Sequence, residues 1–327
     1  MSDMTRPLHG DSSTQDRIIT PSGASRVSES SSNEESNDAL QSLPSSSSES
    51  CVDAGMTKQT GAECISAAFR NRKALITFIT GGDPDVETTE QLIYTLVDAG
   101  VDIIEIGIPF SDPIAEGPVI QAASARALAN GCTVDKLFEM VRRVRAHPSM
   151  PVGIPILFMT YVNPIFVYGK DRFLQRCVEC SIDGVIVPDL PFEERDELAD
   201  ACQSYDICLI HLIAPTSSSR AEMIAQESEG FIYCVSSLGV TGVRSEIDVG
   251  IGTLVSQARA VTDTPCAIGF GISTPEQARE MALISDGVII GSAIVKIIAQ
   301  HGVDCLEPVS EYVSRVSGEL RALVSSD

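Results

Sequence analysis

From about residue 61 onward, short apolar segments alternate with longer segments in which apolar residues recur every three or four positions. The first pattern predicts buried β-strands and the second predicts amphipathic helices. Eight strands are predicted, at Ala74–Ile79, Asp102–Ile108, Ile154–Met159, Gly184–Val187, Ile207–Leu212, Gly230–Val235, Pro265–Ile268 and Gly287–Ile290. Helices are predicted near 61–70, Thr88–Ala99, Val134–Ala146, Arg172–Cys180, Glu193–Ser204, Arg220–Gln226, Ile251–Val261, Pro275–Leu283, 292–299 and 305–324.

Strands that alternate with helices indicate a parallel sheet, for which two architectures are common. A doubly wound open sheet is expected to carry a GxGxxG fingerprint after its first strand, and the sequence TGGDPDVE at residues 80–87 lacks that spacing. Eight strand–helix repeats within about 250 residues match the TIM (β/α)8 barrel. We therefore predict a TIM barrel with extra helices, in which functional residues follow the carboxyl ends of the strands.

The first 58 residues follow neither pattern. Sixteen of the first 50 residues are serine, and acids outnumber bases. This composition provides too little apolar surface to form a core, so residues 1–58 are predicted to be a disordered acidic extension and residues 59–327 the barrel domain. The segment lacks the apolar run of a secretory signal, and its many acids do not fit an organelle transit peptide.

Composition also limits the classes of function. A net charge of −22 argues against general electrostatic binding of nucleic acid, and no apolar run is long enough for a transmembrane helix. The ten cysteines lie mostly in apolar segments and are interpreted as core residues in a reducing cytoplasm. Cys177 and Cys180 have CxxC spacing without a second pair that would complete a zinc site, so no metal site is predicted.

The sequence IIEIGIPFSDPIAEGPVIQ, residues 103–121, holds the strongest candidate for chemistry. Glu105 lies inside a predicted buried strand, and Glu116 lies on the loop that follows. Because side chains alternate along a strand, we expect Glu105 to point into the barrel and three isoleucines to face the helices, namely Ile104, Ile106 and Ile108. A buried acid is costly unless it is paired or used, so Glu105 is either a structural ion pair or a proton-transfer group. Glu116 is either its partner in proton transfer or a solvated or capping acid.

Glycine-rich turns follow the last two predicted strands, in the sequences IGFGIST and IIGSAIV. Gly271, Gly291 and Ser292 lie in these turns. TIM barrels often bind phosphate with the loops after strands 7 and 8 and the amino terminus of a short extra helix. We therefore predict a phosphate site there. Asp189, in the turn PDLP, is interpreted as a cap of the helix that follows it.

The motifs FITGGDP, EIGIPFSDPIAEGPVIQ, PDLPFEE, SSLGVTG, GFGISTPEQ and GSAIVK together closely resemble the tryptophan synthase α subunit family over residues 61–300. The resemblance implies a TIM barrel that cleaves indole-3-glycerol phosphate into indole and glyceraldehyde 3-phosphate by a retro-aldol reaction. It also implies a β subunit as partner in an α2β2 heterotetramer, with pyridoxal phosphate expected only in that partner and no cofactor in this chain.

The resemblance assigns roles to individual residues. It implies Glu105 as the catalytic acid of the second strand and Tyr233 as the tyrosine near it. Glu116 stands where the family usually has an aspartate, so its carboxylate is retained on a longer side chain. Phe78 corresponds to a residue of the indole pocket. The resemblance further implies a phosphate cradle formed by Gly242, Gly271, Gly291 and Ser292. It also implies that the loop of Asp112 and Pro113 faces the partner.

Two other functions remain open from the sequence. Another phosphate-binding barrel, such as a phosphosugar isomerase or indole-glycerol-phosphate synthase, is one. The synthase would need a lysine at a strand end, and no predicted strand ends in lysine; Lys296 lies in a predicted helix. The other is a non-catalytic subunit that binds the phosphate ligand and activates a partner, which the glutamate at position 116 favours.

Overall fold

The computed structural model describes residues 59–217, 219–235, 249–269 and 271–324. The predicted extension, residues 1–58, lies outside this range, and its disorder stays a prediction. Among the described helices, none is both long enough and apolar enough to cross a membrane.

All strands of the described chain lie in one parallel sheet. They are β1 (Ala74–Thr80), β2 (Ile103–Gly107), β3 (Ile156–Met159), β4 (Gly184–Ile186), β5 (Cys208–Ile210), β6 (Leu212–Ile213), β7 (Ile232–Val235), β8 (Cys266–Gly269) and β9 (Gly287–Ile290). Their order in the sheet is β5-β4-β3-β2-β1-β9-β8-β7-β6.

The two ends of this sheet belong to one chain segment, because only His211 separates β5 from β6. β5 pairs with β4, and β6 pairs with β7. The amide of Tyr233 donates to the carbonyl of His211 itself at 3.0 Å. The fifth predicted strand is thus divided because its two halves pair with different neighbours, and the segment closes the sheet into the predicted TIM barrel.

Helices surround the sheet. They are α1 (Gly61–Ala67), α2 (Val86–Asp98), α3 (Pro118–Ala129), α4 (Val134–Ala146), α5 (Val162–Tyr168), α6 (Lys170–Glu179), α7 (Ala199–Ser204), α8 (Ala221–Gln226), α9 (Val249–Arg259), α10 (Pro275–Ile284), α11 (Ser292–His301) and α12 (Leu306–Val324). The predicted helix Glu193–Ser204 is a 3-10 segment, Phe192–Glu197, followed by α7.

The pattern failed to predict α3 and α5, which flank the candidate site. α3 begins with Pro118 after an N-cap at Gly117, and it is rich in alanine, so its apolar stripe is weak. α5 has seven residues and carries Pro164 in its first turn, where proline is tolerated because those amides lack helical partners. Neither segment therefore carries a clear helical signal in the sequence.

Side chains on the sheet divide into an inner and an outer layer. The barrel interior includes Ile76, Ile103, Leu157, Ile186 and Ile289. As predicted, the helices cover Ile104, Ile106 and Ile108. Because side chains alternate along the strand, Glu105 points into the barrel. In the register of the sheet, Glu105 lies between Phe78 and Leu157.

Three aspartates share one arrangement at the amino-terminal face of the barrel. Each directly precedes a strand and accepts a hydrogen bond of 2.9 Å from an amide of the neighbouring strand: Asp102 from Leu75, Asp183 from Ile156 and Asp286 from Cys266. Each also forms an ion pair with an arginine: Arg72–Asp102, Arg145–Asp183 and Arg259–Asp286. These aspartates tie adjacent strands together where they begin.

Candidate active site

Glu105 is completely buried in β2, inside the barrel. Neither of its carboxylate oxygens has a hydrogen-bond partner among the described residues. Because a charged carboxylate loses its hydration here without compensation, burial raises the pKa of Glu105 to about 8. The side chain is therefore mostly protonated at neutral pH, and no described residue forms the structural ion pair that the sequence left open.

Tyr233, in β7, lies near this acid. Burial raises the pKa of Tyr233 well above its ordinary value, and the charge of Glu105 adds to the effect. The phenol is therefore neutral. Its ring packs onto Gly269, where an added Cβ would come within 2.7 Å of the ring. Gly269, the last residue of β8, is thus required by the tyrosine, a role that its place in the sequence did not indicate.

Phe78 belongs to a small apolar cluster at the carboxyl ends of the strands. Its buried members are Phe78, Ile120, Ala123 and Val295, and half-buried Val119 and Met159 pack against them. The ring lies directly over Gly107, because a Cβ there would come within 2.5 Å of the phenyl Cζ. The missed helix α3 supplies three members of this cluster. An apolar wall for an aromatic ligand thus lies beside Glu105.

Glu116 lies on the loop between β2 and α3. One of its carboxylate oxygens, Oε2, is buried without a partner in the described chain. Burial raises the pKa of Glu116 to about 7. The loop is held at two points near this residue. The amide of Ala115 donates to the hydroxyl of Tyr161 at 3.0 Å, and Gln121 donates to the carbonyl of Glu116 at 2.9 Å.

The same loop carries Asp112 and Pro113. Asp112 is exposed and pairs with the hydroxyl of Ser111. Ile114, which follows, is 80% exposed. On α5, which begins directly after Tyr161, Phe166 and Val167 are 45% and 79% exposed.

The glycine-rich turns lie next to each other, because β8 pairs with β9. Gly291 is the N-cap of α11 and Ser292 is its first residue, so free amides of that helix end face this edge of the barrel. Gly271 has a φ of +82°, which favours glycine. A Cβ at Gly291 would come within 3.1 Å of Phe78, so this glycine also makes room for the aromatic ring. Gly242 lies outside the described residues.

Two polar contacts near the site were not predicted. Asp83, which is 1% exposed, forms a double hydrogen bond with Arg126 of α3 at 2.8 and 2.7 Å. Asp189 does not cap the helix that follows it. It accepts from the amide of Val162 at 3.0 Å and so caps α5 instead. Neither partner is close in sequence, so no local signal would have found these pairs.

Within the described ranges, no group of three His, Cys, Asp or Glu side chains is arranged to hold a metal ion. Cys177 and Cys180, which have CxxC spacing, are buried free cysteines. Burial raises the pKa of both thiols. They therefore pack as core residues.

Comparison with known proteins agrees with this geometry. The family model described as tryptophan synthase alpha chain matches residues 65–323. A tryptophan synthase alpha chain from Lacticaseibacillus casei is 46% identical over 252 residues, which cover 77% of this chain and 93% of the relative. One from Caldanaerobacter subterraneus is 47% identical over 244 residues, 74% of this chain and 92% of the relative.

Solved structures give the same result. Tryptophan synthase subunit alpha from Legionella pneumophila superposes with a TM-score of 0.73 at 36% identity, over 81% of this chain and 100% of that one. A chain of the tryptophan synthase complex from Pyrococcus furiosus gives 0.68 at 34% identity, over 76% and 98%. The chain belongs to the tryptophan synthase alpha chain family.

Proposed function

We propose that this chain is the lyase that cleaves indole-3-glycerol phosphate into indole and glyceraldehyde 3-phosphate. The observation that carries the proposal is Glu105, a fully buried acid with no partner among the described residues, beside an apolar wall that fits an indole ring. At the neighbouring strand ends, a helix amino terminus and glycine turns provide amides for a phosphate.

Glu105 performs both proton transfers of the reaction. With a pKa of about 8, it is protonated at neutral pH and gives its proton to indole C3. The ring then becomes an indolenine cation that accepts electrons. The resulting carboxylate takes the proton of the 3′-hydroxyl, the aldehyde forms and the C3–C3′ bond breaks, with its electron pair returning to the ring. Glu105 ends protonated, ready for another turnover.

Glu116 stabilises the positive charge that develops on the indole nitrogen. A carboxylate with a pKa of about 7 is partly ionised at neutral pH and accepts a hydrogen bond from the indole N–H. The glutamate reaches one methylene further than the aspartate usual in the family, and it retains the carboxylate. Tyr233 is neutral because its pKa is raised, so it places no negative charge beside Glu105.

Binding energy for orientation comes from the two ends of the substrate. Phe78 and its cluster contact the indole ring, while the amides near Gly271, Gly291 and Ser292 hold the phosphate. The family resemblance adds Gly242, which lies outside the described residues, to that proposed cradle. Such contacts, remote from the reacting bond, hold C3 and the hydroxyl against one carboxyl group, which lowers the entropic part of the barrier.

The partner is a β subunit, in an α2β2 heterotetramer of the cytoplasm. Members of the family work with a β subunit, and the loop of Asp112 and Pro113 adjoins the exposed apolar residues that such a partner would cover. Indole passes to that subunit for condensation with serine, for which the β subunit supplies pyridoxal phosphate. The chemistry assigned to this chain needs no cofactor.

Indole release from indole-3-glycerol phosphate tests the proposal. The purified chain is assayed alone and with a β subunit, and Glu105→Gln serves as the matched control because it keeps shape and removes the titrating proton. We expect release by the chain, a higher rate with the β subunit and almost none from the variant. Substrate binding without cleavage in either mixture would instead indicate a non-catalytic binding subunit.

A further inference from the structure

We propose that Tyr161 is a positioning residue that fixes the carboxylate of Glu116 over the substrate. The inference deepens the proposed function and rests on the role given there to Glu116. Tyr161 is 2% exposed, and it does not need to touch the substrate to act in this way.

Tyr161 contacts the loop of Glu116 at both ends. Its ring packs against Phe110, near the start of the loop, with 5.3 Å between ring centroids. Its hydroxyl accepts from the amide of Ala115, the residue directly before Glu116, at 3.0 Å. One buried side chain therefore fixes the start of the loop, at Phe110, and the backbone directly before Glu116.

The tyrosine is itself held by fixed parts of the barrel. It lies two residues after the end of β3, and the amide of Thr160 donates to the carbonyl of Ile186 at 3.0 Å. Directly after it, the amide of Val162 donates to Asp189. The phenol hydroxyl is therefore a rigid acceptor, anchored by the strands rather than by the loop that it supports.

Glu116 needs such a support because no described residue holds its carboxylate. Its buried Oε2 has no partner in the described part of the chain. Glu116 is therefore positioned through the backbone: the amide of the preceding residue, Ala115, donates to Tyr161, and its own carbonyl accepts from Gln121. If the first contact is lost, we expect the loop to move outward and the carboxylate to become hydrated.

Tyr161→Phe tests this directly, because it keeps the buried ring and removes only the acceptor oxygen. We expect kcat to fall about tenfold, a size typical of misplaced catalytic groups, while KM changes less than about twofold because the indole and phosphate contacts remain. The limb of the pH–rate profile that belongs to Glu116 should move to lower pH, because a hydrated carboxyl group ionises more easily.

Tyr168→Phe is the matched control. Tyr161 is the N-cap of α5, and Tyr168 is the last residue of that helix. The hydroxyl of Tyr168 donates to Asp135, away from the loop of Glu116. That variant loses one tyrosine hydrogen bond as well, and we expect its kcat and pH profile to be unchanged. An equal loss of kcat in both variants would overturn the proposal, since it would indicate a general effect on α5.

The decisive arm is a double-mutant cycle with Glu116→Ala. If Tyr161 acts through Glu116, Tyr161→Phe causes no further loss of kcat once the carboxylate is absent. An equal loss in both backgrounds, or a wild-type rate for Tyr161→Phe, would overturn the positioning role. A fully active Glu116→Ala would be a different result, since it would remove the proposed role of Glu116 itself.

Discussion

Carboxylates at the amino-terminal face of the barrel and in its interior differ in their partners. At the face, Asp102, Asp183 and Asp286 each have an arginine and a backbone amide as partners. In the interior, Glu105 has no such partner within the described residues, although it is the more deeply buried. The first arrangement stabilises the fold, and the second makes an acid available for chemistry.

The difference is visible in the pKa values. Burial raises the pKa of Asp183, and the charge of Arg145 and the hydrogen bond from Ile156 offset only part of that rise. For Glu105, burial acts alone and raises the pKa to about 8, compared with an ordinary 4.5. A difference of that size corresponds to about 5 kcal/mol against the charged form. A fold that retains this cost without a partner indicates a functional reason.

Asp83 shows that position in the barrel does not determine the outcome. It lies three residues after the end of β1, at the end of the barrel that carries the candidate site. It is 1% exposed, yet Arg126 pairs with both of its oxygens. The pair clamps α3, which supplies part of the wall around Phe78. What distinguishes Glu105 and Glu116 is therefore that no described residue pairs with them, and not the depth at which they lie.

The largest expected effect is on cleavage by Glu105→Gln. General acid–base groups typically contribute about 10²–10⁴-fold to the rate, so we expect kcat to fall by at least about 100-fold while substrate binding survives. Steady-state kinetics and a binding titration measure the two quantities. Retention of more than about a tenth of the rate would place the acid elsewhere.

The same substitution should stabilise the fold at high pH. Below pH 4.5 the side chain is protonated in both the folded and the unfolded state. Between pH 4.5 and 8 only the folded state holds the proton, so wild-type stability falls as pH rises. Glu105→Gln should therefore raise the free energy of unfolding by up to about 5 kcal/mol above pH 8, and by almost nothing below pH 4.5.

Asp183→Asn is the matched control from the amino-terminal face, where we expect the opposite sign. It leaves Arg145 without its charge partner and should destabilise the fold by about 1–3 kcal/mol at neutral pH. Chemical denaturation of both variants across pH measures the contrast. Destabilisation by both would mean that Glu105 is also a structural acid.

The pH dependence of kcat/KM should be bell-shaped. Activity requires ionised Glu116 and protonated Glu105, so the rate should rise through a pKa of about 7 and fall through one of about 8. Glu116→Ala should lower kcat and abolish the rising limb, whereas Glu116→Asp should keep substantial activity because the charge remains. An Ala variant with an unchanged profile would show that Glu116 is only a loop residue.

A smaller effect is expected at the phosphate cradle. Gly271→Ala should raise KM about tenfold, because it disturbs a turn with positive φ that we propose as part of the phosphate site. Gly302→Ala is the control, since Gly302 also has positive φ and open space but lies at the other end of α11. An equal rise in both would reflect backbone strain alone. Gly291 is less suitable because a side chain there would press on Phe78.

Much of the barrel follows from local patterns in the sequence. The apolar runs predicted the strands, and alternation along β2 predicted which way Glu105 points. The helices α3 and α5 were missed because one is short and the other is rich in alanine, so neither has a clear apolar stripe. Family motifs, rather than periodicity, gave the roles of Tyr233, Phe78 and Gly242.

The missing partner of Glu105 was beyond any local pattern. Whether a buried acid is paired depends on residues far away in sequence, as Asp83 and Arg126 or Ala115 and Tyr161 show. The glycines illustrate the same limit. Gly107 and Gly269 allow the close approach of aromatic rings from neighbouring strands, which only the register of the sheet shows.

The protonation state of Glu105 tests the central claim most directly. Carbon-13 labelling of the glutamate carboxyl groups allows each to be titrated by NMR, and the Glu105→Gln variant identifies the resonance by its loss. The account predicts a carboxyl group that titrates near pH 8 and is protonated at neutral pH. Titration near the ordinary value of 4.5 would contradict it, because the acid would then be charged and would have found a partner or water.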